Sequence, residues 1–107
     1  MLSDRDIANN TPLHLAVEND HYGVVKLCIL EKADINTPAN NSIYLLHLAA
    51  KTGNVRIVKI LVKNGARIDV RNVDMSTPLH IAAQYSHTEK NHDAIVEFFL
   101  RQYVFSI

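Results

Sequence analysis

Thr11-Pro12-Leu13-His14-Leu15-Ala16 returns as Tyr44-Leu45-Leu46-His47-Leu48-Ala49 and again as Thr77-Pro78-Leu79-His80-Ile81-Ala82. The histidines at 14, 47 and 80 are 33 residues apart in both steps. More of the unit recurs around these anchors. Val24-Val25-Lys26-Leu27, Ile57-Val58-Lys59-Ile60 and Ile95-Val96-Glu97-Phe98 follow downstream, and Ala33-Asp34-Ile35-Asn36 returns as Ala66-Arg67-Ile68-Asp69. A fixed period of this length is the mark of a solenoid, in which each unit is one supersecondary element that buries its apolar face only by stacking on a neighbour.

Each unit reads as two helices. Thr11 and Thr77 can cap the first through the hydroxyl, and Pro12 and Pro78 suit its first turn, where no N–H is needed. Small residues follow (Ala16, Ala49-Ala50, Ala82-Ala83), which let this short helix lie close to its neighbours. The second helix is bulkier, with Val24, Val25, Leu27, Cys28, Ile29 and Leu30 in the first unit and Ile57, Val58, Ile60, Leu61 and Val62 in the second. Their three- and four-residue spacings make one broad apolar face.

These motifs resemble ankyrin repeats, which share the period and the Thr-Pro-Leu-His signature. The resemblance implies an all-α helical repeat solenoid: a single domain over 1–107, with repeats at about 6–38, 39–71 and 72–107, built of helix-turn-helix units joined by hairpin-like loops. Departures from the family pattern are local. Repeat two replaces Thr-Pro by Tyr44-Leu45. Asp20 stands where repeat two has Gly53, and Lys32 where it has Gly65. Asn9, Ser42 and Met75 occupy the hairpin glycine position, so strained or remodelled loops are expected at Ser42 and Met75. Repeat three is stretched: His80 to Ile95 is 15 residues, against ten from His14 to Val24, which places five extra residues within Gln84 to Asp93. Aligning Asn91-His92 with Asp20-His21 puts them at the end of the first helix; aligning Ser86-His87 there instead moves them downstream.

The composition excludes several function classes. Eleven basic and eleven acidic residues balance to zero charge, which gives no electrostatic case for nucleic acid or an anionic membrane. No apolar run approaches the roughly 18 residues of a membrane span. The single Cys28 cannot form an internal disulfide, sits in a helix-core pattern, and points to the cytoplasm or another reducing compartment, with delivery into another cell left open. No glycine-rich phosphate loop or nucleophile elbow is present, so no enzyme and no cofactor is expected. His14, His47 and His80 lie one per repeat, about 10 Å apart in a helix stack, which is too far to share a metal with bonds of about 2.0–2.1 Å. In the family this histidine is structural. His87 and His92, with Glu89 and Asp93 nearby, form a remote metal alternative that lacks the His-Glu-x-x-His spacing.

The resemblance implies recognition of another protein on the concave face, by an adaptor or a masking inhibitor. The family's variable contact positions fall on Ile7, Ala8, Asn10, Glu18 and Asn19 in repeat one. Repeat two supplies Pro38, Asn40, Asn41, Ile43, Lys51 and Thr52, and repeat three Arg71, Val73, Asp74, Ser76, Gln84 and Tyr85. Tyr85 is the expected energetic anchor, with Arg71 second, since interface hot spots favour these types. A second reading is a truncated or degenerate array with no independent function. It draws on the altered repeat two and on the apolar run from Phe98 to Ile107, which also invites self-association.

Overall fold

The computed structural model describes residues 4–86 and 91–106, the last three of these by their backbone. Six helices follow in order: α1 (Pro12–Glu18), α2 (Tyr22–Leu30), α3 (Leu45–Thr52), α4 (Val55–Lys63), α5 (Pro78–Gln84) and α6 (His92–Ser106). The first helices α1, α3 and α5 form one row and the second helices α2, α4 and α6 another, each touching its neighbour in the next repeat. The described residues are all-helical apart from turns and one isolated bridge between Ala39 and Ile43.

The Thr-Pro-Leu-His motif is a capping box in which histidine takes the place usually held by glutamate. The Thr11 hydroxyl accepts from the His14 backbone N–H at 3.3 Å, and the Thr11 N–H donates back to His14 Nδ1 at 3.2 Å. Thr77 and His80 repeat the arrangement at 3.3 and 3.1 Å. In repeat two the tyrosine supplies no cap, but Tyr44 N–H still donates to His47 Nδ1 at 3.0 Å. Half a box therefore suffices to start α3 at Leu45, in step with Pro12 and Pro78.

The core runs through the joints between repeats. Leu13, Ala16 and Val17 of α1, Leu46, Ala49 and Ala50 of α3 and Ala82 of α5 meet Val25, Cys28, Ile57, Val58, Leu61, Ile95 and Phe99 of the second helices. Burial raises the Cys28 thiol above its ordinary value, as suits a core residue. Side-chain hydrogen bonds stitch the joints: Asn36 donates to Gly65 O and accepts from Arg67 N, both at 2.9 Å. Asn54 donates to the Asp20 carboxylate of the preceding repeat.

The special backbone positions are where the sequence places them. Asp20 (φ 63°) and Lys32 (φ 65°) adopt the left-handed turn that Gly53 (φ 81°) and Gly65 (φ 99°) adopt in repeat two. Met75 keeps the regular hairpin at φ 64°, and its N–H reaches Asn72 O at 2.9 Å, as Asn9 reaches Asp6 O. Ser42 does not keep it. There the loop becomes a 3-10 turn over Asn40–Ser42, with Asn41 and Ser42 both left-handed. The reason lies three residues earlier. The Asp6 carboxylate accepts from Asn10 N at 2.8 Å and Asn72 Oδ1 accepts from Asp74 N and Ser76 N at 2.9 and 3.0 Å, so each braces its turn. Ala39, the equivalent residue, has nothing to brace with.

Seven residues (85–91) join α5 to α6, against two (53–54) between α3 and α4. The extra length thus precedes α6, in agreement with aligning Asn91-His92 rather than Ser86-His87 with Asp20-His21. Ile95 and Phe99 are buried, as are Ile57 and Leu61. The apolar run after Phe98 is not simply an exposed end. Phe99 is core, and Tyr103 Oη donates to Ile68 O at 3.2 Å, which ties α6 to repeat two. The side chains of Val104 and Phe105, and all of Ile107, lie outside the described residues.

Candidate functional site

The three hairpins that precede α1, α3 and α5 are closed by equivalent bonds: Asp6 N to Asn10 O, Ala39 N to Ile43 O and Asn72 N to Ser76 O, at 2.8–3.0 Å. They are also linked to each other. Asn40 N donates to Ala8 O at 3.1 Å and Val73 N donates to Asn41 O at 2.9 Å, so one backbone ladder crosses all three tips. The Arg5 guanidinium adds a cross-link, donating to Asn9 O in its own loop and to Pro38 O in the next at 3.0 and 2.9 Å.

Along the first helices, positions 33 apart share a face. Glu18, Lys51 and Gln84 are exposed, and Asn19, Thr52 and Tyr85 follow them at the helix ends. One turn earlier stand Leu15, which is exposed, and Leu48 and Ile81, both half-buried. The family's variable positions, carried onto this sequence, passed over this row. The signal was present: Leu13, Ala16 and Val17 point inward, which leaves Leu15 outward on a helix.

The twelve expected contact residues divide by what already holds them. Glu18, Asn40, Lys51 and Asp74 are exposed on this face or its tips. Asn10 is hydrogen-bonded through its side chain to Asp6, Asn19 to Leu15 O, and Thr52 to Ala49 O. Asn41 gives only its backbone carbonyl to the ladder and keeps an exposed side chain, and Ser76 presents its carbonyl to His47. Gln84 is exposed. Arg71, expected as a second anchor, donates to Met75 O at 2.9 Å and so holds its own loop. Tyr85, expected as the first, is half-buried and stacked on His92 with centroids 6.1 Å apart and planes at 28°.

His92, weighed in the sequence as a remote metal ligand, is 1% exposed at the start of α6, and its Nε2 hydrogen-bonds Lys51 O at 2.9 Å. It closes the C-terminal end of α3 across the joint, much as Asn54 reaches back to Asp20. That nitrogen faces a carbonyl rather than a metal. His87, its supposed co-ligand, lies outside the described residues, and no cluster of three His, Cys, Asp or Glu forms among the described ones.

Burial favours the neutral ring in two of the repeated histidines, His14 and His47. Each accepts at Nδ1 from a backbone N–H, which places the proton of the neutral ring on Nε2. His47 donates it to Ser76 O of the next repeat at 2.8 Å. Burial pushes the His47 pKa below its ordinary value, against the opposing carbonyls of Ser76 and Val70. Burial does the same to His14, and the Arg5 guanidinium adds to it, against the Ile43 and Thr37 carbonyls and Asp6. His14 Nε2, wholly buried, makes no hydrogen bond. His80 is exposed, because no fourth repeat covers it among the described residues.

The family model for ankyrin repeats, in three copies, matches residues 13–105. The chain belongs to the ankyrin repeat family. Similar proteins include α-latroinsectotoxin-Lt1a of Latrodectus tredecimguttatus, 29% identical over 78% of this chain and 6% of the toxin. The Drosophila melanogaster transient receptor potential cation channel subfamily A member 1 is 31% identical over 83% of this chain and 8% of the channel. An ankyrin repeat protein of fowlpox virus is 32% identical over 78% of this chain and 57% of its own length. The chain therefore spans a small part of the first two and somewhat over half of the third. Ankyrin repeats are in general protein–protein interaction modules and are not generally catalytic. No helix among the described residues is long and apolar enough to cross a membrane.

Proposed function

We propose that this ankyrin stack binds another protein on the face made by its hairpin tips and the exposed side of α1, α3 and α5, as an adaptor or as a mask over its partner. One observation carries the reading: the ladder from Ala8 through Asn40 and Asn41 to Val73 fixes the three tips relative to one another. A preorganised surface loses less conformational entropy when a partner arrives. Beside the ladder, the row Leu15, Leu48 and Ile81 offers apolar area, and Glu18 and Lys51 offer charge of both signs for register.

Tyr85 and Arg71 are poor probes, since each supports the fold. Lys51→Glu and Val73→Asp, both on exposed side chains, test the face instead. A partner captured by the folded wild-type chain should bind each variant at least tenfold more weakly, with the helical circular dichroism unchanged. Undiminished binding by both variants would show that the partner uses another surface.

A further inference from the structure

The chain's zero net charge conceals a basic stripe on the row of second helices. Between them α2 and α4 carry Lys26, Arg56, Lys59 and Lys63 and no acidic residue. On α4, Ile57, Val58 and Leu61 are buried, and Arg56, Lys59 and Lys63 stand exposed on the opposite side at i, i+3 and i+7. The stripe runs for about 10 Å along the helix axis. Lys26 holds on α2 the position that Lys59 holds 33 residues later on α4. The carboxylates nearby are already engaged. Asp20, beside the start of α4, accepts from the Asn54 amide, and Glu97 of α6 pairs with Arg101 at 2.9 Å.

The four cations are held in place without being neutralised. The Arg56 guanidinium lies 3.9 Å over the Tyr22 ring, and Lys26 Nζ approaches the same ring at 5.7 Å. Lys59 Nζ is 5.9 Å from the Phe98 ring centroid. None of the four makes an ion pair with a described residue. A guanidinium stacked on a ring keeps its N–H donors at the edge, where a carboxylate can take two at once. Like charges one turn apart on a helix also repel, a cost that carboxylates laid across the stripe would relieve. Beside Lys59, a shallow groove between α4 and α6 is floored by Val55, Ala94 and Phe98 and edged by Glu97 and Arg101.

We propose that the outer side of α4, with Lys26 of α2 beside it, binds an acidic helical segment of another protein, with an apolar side chain of that segment in the groove against Phe98. A helix is the occupant because one laid along α4 has the same rise per residue, so carboxylates at i, i+3 and i+7 meet Arg56, Lys59 and Lys63 in register. The apolar floor and the Glu97 carboxylate favour a polypeptide over a surface of uniform phosphate charge. The site is separate from the hairpin tips and first helices, and gives an adaptor a second partner surface.

Fluorescence anisotropy with synthetic peptides tests this. The probe is a labelled Ala- and Leu-based helix with Glu at i, i+3 and i+7, and its control carries Gln at the same positions. The 107-residue chain should bind the Glu peptide at micromolar concentration, more weakly as salt is added, and the Gln peptide at least tenfold more weakly. Arg56→Glu and Lys59→Glu, both on exposed side chains, should each weaken binding of the Glu peptide at least tenfold with helical circular dichroism unchanged, whereas Lys51→Glu should leave it as it is. Arg56→Gln and Lys59→Gln replace either variant that circular dichroism shows unfolded. No binding of the Glu peptide, equal binding of the Gln peptide, or undiminished binding by the variants would overturn the proposal. So would tighter binding of a single-stranded oligonucleotide or of phosphatidylserine vesicles, lost in the same variants, which would mark the stripe as a phosphate site.

Discussion

Replacing Gly65 and Gly23 by alanine makes the same chemical change twice, and the structure gives the two substitutions opposite signs. Gly65 ends α4 in the left-handed region at φ 99°, with its N–H on Val62 O and the following Ala66 N on Leu61 O. An alanine Cβ there would meet no atom within 4 Å, so the penalty is one of backbone alone. A side chain in that region costs about 1–2 kcal/mol, and the stiffer unfolded chain returns about 0.4–1 kcal/mol. Net destabilisation of about 1 kcal/mol follows, or a fall in Tm of about 4–8 °C for a domain of this size. Gly23 sits in the first turn of α2 and also has open space around its Cβ position. Alanine there should stabilise by about 0.5–1 kcal/mol, raising Tm by about 2–8 °C. Thermal and urea melts followed by far-UV circular dichroism read both. Shifts of the same sign, or a neutral Gly65→Ala, would refute the backbone account.

The converse applies to Lys32 and Met75, which hold left-handed positions without being glycine. Lys32→Gly and Met75→Gly should each stabilise by about 0.5–1 kcal/mol, and a drop in urea midpoint for both would contradict the reading. Asn72→Ala removes an amide that braces a turn through Asp74 N and Ser76 N, and should cost about 1–2 kcal/mol in the same melts. His14 and His47 have folded pKa values below the ordinary imidazole value of 6.5. The neutral rings therefore stabilise the fold fully above that value, and stability drains away as pH falls below it towards the folded pKa. Urea midpoints should fall between neutrality and pH ~5, and the fall should shrink in His14→Asn; an undiminished slope in that variant would clear His14 of any part. Truncating buried His92 to alanine strands Lys51 O and should cost about 1–3 kcal/mol, with faster amide exchange in α6 as the local signature.

The helical stack was legible because its determinants are local and periodic. Thr11, Pro12 and His14 specify a helix start within four residues, and a fixed period then says which residues must touch. Lys32 and Met75 show the limit of reading by type. Neither favours positive φ, yet both hold it, with their N–H groups bonded to Ile29 O and Asn72 O. The irregular middle hairpin follows from an absence, the missing brace at Ala39, which becomes visible only when Asp6 and Asn72 are seen bonded. The contact face was less legible. Tyr85 and Arg71 were chosen for the chemistry interfaces favour, whereas packing against His92 and bonding to Met75 O employ them within the fold. The burial of His92 was not legible by analogy, since His21, the residue aligned with it, is exposed.

The ladder joining Ala8, Asn40, Asn41 and Val73 also sets how changes on that surface combine. Tips that moved independently would contribute to binding as separate terms, and substitutions on different repeats would add. Joined by backbone hydrogen bonds, a tip pulled from its place takes strain to the next, so a partner touching two tips senses both through either. Substitutions at Asn40 and Val73, well apart in the chain, should then show interaction energies in double-mutant cycles.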